Sequence, residues 1–168
     1  PTAAHHATLD AVQWLVDHEG ATVDWLPVDE RGRLRLDALE AALAREPAAL
    51  LTTLWANNEV GTLQPVAEAA ALAASAGVPV HVDAIAAYGQ VPLVPLPAGV
   101  SAVSISADDV GGPVGVGALV LRRGTEVEPL LHGGGQQRGR SGTMDAAGAA
   151  AFAHAAELAH DELDDRAA

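Results

Sequence analysis

Between His5 and Glu19 the apolar residues Leu9, Val12, Leu15 and Val16 recur at the spacing of one helix face, and Gly20 follows as a stop. Residues 21–28 read as a short strand and Asp29 to Gly32 as a turn. Asp37 is placed as an N-cap, with Glu40 three residues on and Leu39, Ala42 and Leu43 on one face behind it; Pro47 closes that helix. Residues 49–55 are almost continuously apolar, the pattern of a strand covered on both faces. Pro65 and Gly77 frame an Ala-rich helix. Further strands are predicted over Val78–Asp83, Ser101–Ser106 and Val116–Leu121. A Gly-rich loop, His132 to Gly142, then leads into a helix from about Met144 to about Leu163.

Strands that alternate with helices predict an α/β fold: three layers, a mainly parallel sheet with flanking helices, in one domain over 1–168. Polar residues collect where the strands end, at Asn57 and Asn58, at Asp83, and at Asp108 and Asp109. Open α/β sheets place their sites at such carboxyl ends.

Composition sharpens this picture. The 168 residues are 49% hydrophobic but only 3% aromatic, so Ala, Val and Leu must fill the core. A formal charge of −13 argues against nucleic acid as a partner, because phosphate binding needs a basic face. No apolar run suits a membrane span, no leader precedes the first helix, and the chain opens on Pro1. The expectation is a processed or cut piece of a cytoplasmic protein. All nine basic residues are arginine and cysteine is absent, so no side chain offers a Schiff-base amine or a thiolate. Neither H-x-x-x-H nor H-E-x-x-H spacing is present, and no metal site is expected; no G-x-S-x-G supports a serine hydrolase.

Five segments, in order along the chain, resemble one family. His5-His-Ala-Thr-Leu9 is similar to E-H-x-A-[VT]-L, Asn57-Asn-Glu-Val-Gly61 to N-N-E-[IV]-G, and His81-Val-Asp-Ala84 to H-V-D-A. Ser104-Ile-Ser106 with Gly112-Pro113 and Gly115-Val-Gly-Ala-Leu119 resembles S-x-S-x-H-K-x-x-G-P-x-G-x-G-x-L. His132-Gly-Gly-Gly135, Arg138-Gly139 and Ser141-Gly-Thr143 resemble H-G-G-G-x-x-R-G-x-R-S-G-T. The family is the cysteine desulfurases, class V aminotransferases among the fold-type-I pyridoxal phosphate enzymes. The resemblance implies the core of their large domain, a homodimer, His5 stacked on the cofactor ring, Asp83 at the pyridine nitrogen, Asn58 near the ring hydroxyl and Ser106 at the phosphate. It also implies that an N-terminal phosphate-cradling loop and a small domain with a sulfur-accepting cysteine are not in this chain.

The departures are chemical. The family's His-Lys pair is replaced by Asp108-Asp109, so an aspartate holds the Schiff-base position. With Asp83, three carboxylates would approach one pocket, raising at least one pKa and favouring a cation over a phosphate. The resulting expectation is a repurposed enzyme without cofactor: pyridoxal phosphate not covalently bound, and not expected to bind otherwise. Asp109 and Asp108 would act as acid or base with Asp83 and His5, and Asn58, Ser106, His6 and Arg138 would bind a cationic amine or amino-acid-like substrate. Two alternatives stay open, a non-catalytic pseudoenzyme that binds a carrier or partner protein, and one half of a split pyridoxal phosphate enzyme. So do plainer readings: Asp108-Asp109 as a solvated loop, Asp83 as a helix cap, His5 and His6 as ordinary residues at a helix start, His81 as a satisfied core histidine.

Overall fold

A computed structural model describes residues 1–134 and 140–166. Helix α1 (His6–Glu19) and helix α2 (Leu36–Arg45) precede strand β1 (Leu51–Leu54); helix α3 (Val66–Ser75), strand β2 (Val80–Asp83) and strand β3 (Val100–Ser106) follow. A short 3-10 turn (Asp108–Val110) leads to strand β4 (Gly117–Leu121), and helices α4 (Ala146–Asp161) and α5 (Leu163–Arg166) complete the order. The sheet runs β1-β2-β3-β4, with the first three strands parallel and β4 antiparallel to β3. This is the mainly parallel α/β sheet that the alternation predicts.

The core lies between the sheet and α2 and α3. Val80, Val82, Val100 and Val103 meet Leu39, Ala69, Ala70 and Ala73 in one cluster. Small alanines let α3 sit close on the sheet, which compensates for the shortage of large aromatics. A second cluster, Ala107, Val110, Phe152, Ala155 and Ala159, joins α4 to the turn after β3, with Tyr88 edge-on to Phe152.

Three expectations are corrected. Residues 21–28 form no strand; only an isolated bridge links Val28 to Leu34. Pro27 removes a ladder donor, and the Asp29 carboxylate accepts from the amides of Arg31 and Arg33, folding the chain back at once. Asp37 does not cap α2: the cap position falls two residues earlier, on Arg35, and Asp37 in the helix's first turn pairs with the Arg35 guanidinium. The last helix breaks at Glu162, whose amide bonds back to the carbonyls of His160 and Leu158.

Helix α1 ends at Gly20 in the left-handed conformation, as its sequence indicates. Yet none of its residues is buried, and Trp14 and Leu15 lie open. Leu119 and Val120 on β4 are exposed as well. No described helix is long and apolar enough to cross a membrane.

Candidate functional site

The parallel strands finish side by side, and Asp83 is the middle point of that edge. It pairs in register with Leu54 of β1 and Ser104 of β3, and its carbonyl accepts the Trp55 amide at 2.7 Å. Its Oδ1 accepts the Ile85 amide at 3.1 Å, at the start of a helical turn in which the Tyr88 amide bonds the Ala84 carbonyl. The half-buried carboxylate therefore does cap a turn, but with one oxygen; among the described residues Oδ2 takes no partner.

His5 is the N-cap of α1, its Nδ1 accepting the Ala7 amide at 3.2 Å. An amide can only donate, so Nδ1 is the acceptor in this cap. The His6 ring lies 4.0 Å away at 36°, exposed to solvent. The segment carrying His5 reaches the strand ends through Asn57, whose Nδ2 donates to the Ala3 carbonyl at 3.0 Å. Asn57, not Asn58, makes this connection; Asn58 is exposed. The signal for it in the sequence is the Asn-Asn pair before a glutamate, since asparagine side chains close turns on amides two and three residues ahead.

Beyond β3 the chemistry changes sign. The Ser106 hydroxyl donates to Asp108 Oδ1, and this bond holds the Asp108 carboxyl below the ordinary carboxylate range. That direction is opposite to the raised value expected from crowded carboxylates. Asp108 and Asp109 are both exposed, and no three His, Asp or Glu side chains among the described residues converge on one point. Among the described residues the three carboxylates therefore form no shared cluster, and the exposed pair is open to solvent screening. Arg138 lies outside the described residues.

His81 shares the half-buried face with Asp83. Its Nδ1 is 2.9 Å from the Thr52 hydroxyl and its Nε2 2.8 Å from that of Ser104, a bridge across β1, β2 and β3. Burial holds its pKa below the usual 6.5, while the Asp83 charge pulls the other way. The unfolded chain thus binds the proton first, and stability must fall as pH drops below about 6.5. Urea unfolding at a series of pH values should show this decline in the wild type and a flatter profile in His81→Asn. Equal slopes would remove His81 as its source.

The residues at this edge fit a pyridoxal phosphate ring at one end only. Asp83 presents a free carboxylate oxygen, and His5 presents an imidazole ring on the linked segment. At the other end the Ser106 hydroxyl is engaged by Asp108, and the chain has no lysine.

Comparison with known proteins decides the cofactor question. The chain is 51% identical over 166 residues to an IscS-like cysteine desulfurase of Mycobacterium tuberculosis, a match over 98% of the chain and 42% of the relative. It is 46% identical over 159 residues to a cysteine desulfurase of Cereibacter sphaeroides, covering 94% and 41%. Among solved structures it superposes on a NifS-like protein with a TM-score of 0.88 at 38% identity, covering 98% of this chain and 45% of the other. DndA from Streptomyces lividans gives 0.85 at 34% identity, covering 98% and 47%. The chain therefore spans about two fifths of the length of the curated relatives it matches. Cysteine desulfurases depend on pyridoxal phosphate, and the expectation of a cofactor-free site is overturned: this chain is the homologous part of such enzymes. The chain has no lysine to attach such a group, and one carboxylate oxygen of Asp83 remains free at the strand edge. The family profile of the class-V aminotransferases matches residues 1–166, and the chain belongs to that family.

Proposed function

We propose that this chain forms the ring-holding part of a pyridoxal-phosphate-dependent, desulfurase-type site for a sulfur-bearing amino acid. The Schiff-base amine and the phosphate cradle come from polypeptide outside these 168 residues. The observation that carries the reading is Asp83, half-buried between two strand ends with one carboxylate oxygen bonded and the other free. A carboxylate there keeps a pyridine nitrogen protonated, and the bound cofactor then supplies an electron sink for the substrate. The Asp83 carboxylate would accept the hydrogen bond from that nitrogen, His5 would lie against the ring, and Asp108, held low by the Ser106 hydroxyl, stays a carboxylate at neutral pH. With exposed Asp109 beside it, Asp108 gives an incoming ammonium group a counter-charge instead of an acid–base partner.

A second reading, a non-catalytic module that docks a partner or a second copy, draws on the uncovered α1 and β4. It requires partner binding indifferent to the cofactor.

Titration with pyridoxal phosphate, followed by induced circular dichroism of the ring, tests the first reading. The wild type should give a saturable signal. Asp83→Ala should weaken binding roughly ten- to a hundredfold, the scale of a lost hydrogen bond to a charged group. No saturable signal, or equal affinity in the variant, overturns it.

A further inference from the structure

We propose that Asn57 is a positioning residue which fixes His5 relative to Asp83; for its role toward the ring, this rests on the function proposed above. The path is continuous. The Asp83 carbonyl accepts the Trp55 amide at 2.7 Å, and two residues later the Asn57 side chain makes three bonds. Its Oδ1 accepts the amides of Glu59 at 2.8 Å and Val60 at 2.9 Å, which closes the loop after β1 and fixes the orientation of the carboxamide. Its Nδ2 is thereby aimed at the Ala3 carbonyl, 54 residues away in sequence and 3.0 Å away in space.

From Ala3 it is two residues to His5, whose Nδ1 is engaged by the Ala7 amide. The other tie on this stretch is the Thr2 amide to the Leu26 carbonyl, at 2.9 Å. That bond leads toward α2, not toward the strand ends. α1 buries no residue of its own, and packing on its first turn is limited to half-buried Thr8 and Leu9, so hydrogen bonds weigh heavily in placing it. The one that reaches the Asp83 edge comes from Asn57. The side chain is half-buried, so water competes poorly for the bond.

Two substitutions separate the clasp from the loop. Asn57→Asp keeps the oxygen that accepts from Glu59 and Val60 but has no amide hydrogen for Ala3. Asn57→Ala loses both. Hydrogen exchange on the cofactor-free protein reads the clasp directly: amides over residues 2–9 should exchange roughly two- to tenfold faster in Asn57→Asp, the factor that one ordinary hydrogen bond gives. Exchange over 59–62 should accelerate only in Asn57→Ala. In the presence of pyridoxal phosphate, Asn57→Asp should also reduce the induced dichroism of the ring, while a His5→Ala protein should be insensitive to the further change at Asn57. Wild-type exchange over residues 2–9 in Asn57→Asp overturns the proposal, whatever the cofactor does. Faster exchange with no ring signal even in the wild type removes the functional reading and leaves the placement of His5 by Asn57 standing. A ring signal that Asn57→Asp leaves unchanged, with faster exchange, overturns the role of the clasp at the ring.

Discussion

Asp109→Lys is expected to turn a chain that cannot bond pyridoxal phosphate through any lysine into one that is labelled at residue 109. An amine there condenses with the cofactor aldehyde with loss of water, and borohydride then fixes the carbon–nitrogen bond for detection by peptide mapping. The backbone at this position is held independently of the side chain. The Val110 and Gly112 amides bond the Ala107 carbonyl at 3.2 and 2.7 Å, the Gly111 amide bonds the Asp108 carbonyl at 3.1 Å, and Val110 is buried in the second cluster. A Cβ on Gly112 would stand 2.9 Å from the Ala107 oxygen, so the turn is closely packed. Exposed Asp109 can therefore change without loss of fold. Glu126→Lys is the control, because Glu126 lies in the groove with Gly77 and Ser101 at the opposite, amino end of the strands. Labelling at 109 should approach one per chain at cofactor concentrations that leave 126 unmodified. Equal labelling at both would show simple surface reaction, and the ring seat would have to be abandoned.

The elements that carry the site are legible in the sequence because their signals are local. Gly20 stops α1, the Ala-rich stretch between Pro65 and Gly77 makes α3, and the apolar runs that end at Asp83 and Ser106 make β2 and β3. What local spacing misses depends on competition between partners. Residues 21–28 carry strand-forming types, but Pro27 and the Asp29 turn deny them a ladder. Asp37 is a good cap by type, yet Arg35 captures its carboxylate. Asp108 and Asp109 look like a source of mutual repulsion until Ser106 donates to one of them and solvent reaches both. A cofactor-free site follows only if that end of the edge is weighed alone. The desulfurase relatives point the other way, and the Asn57 contact, spanning 54 residues, leaves no mark in local spacing. His81 is the satisfied histidine that its place inside a strand predicts, though its partners on two neighbouring strands emerge only with the register.

The largest loss of stability is expected from Gly99→Ala. Gly99 has φ of +93° directly before β3, and a Cβ there would lie 2.6 Å from the Ala70 carbonyl oxygen and 3.2 Å from the Ala74 Cβ. Both belong to α3, whose alanine face lies flat on the sheet, with Ala70 and Ala73 fully buried. Left-handed backbone strain costs about 1–2 kcal/mol for a residue with a Cβ, and forcing an atom into closed packing about 1–3 kcal/mol more. Together these take roughly 2–5 kcal/mol from a total that is about 5–15 kcal/mol in ordinary domains. Gly77→Ala isolates the first cost, since Gly77 has φ of +71° and a methyl group there would meet nothing within 4 Å. Urea unfolding should therefore rank Gly99→Ala well below Gly77→Ala, and equal losses would refute the close approach of α3. The consequence reaches the site. A methyl group at 99 pushes β3 away from α3 at its first residue, and β3 carries Ser104 beside Asp83 and Ser106 beside Asp108. At temperatures where both variants remain folded, the ring signal should weaken in Gly99→Ala and persist in Gly77→Ala, because only the first substitution disturbs the strand that borders the Asp83 seat.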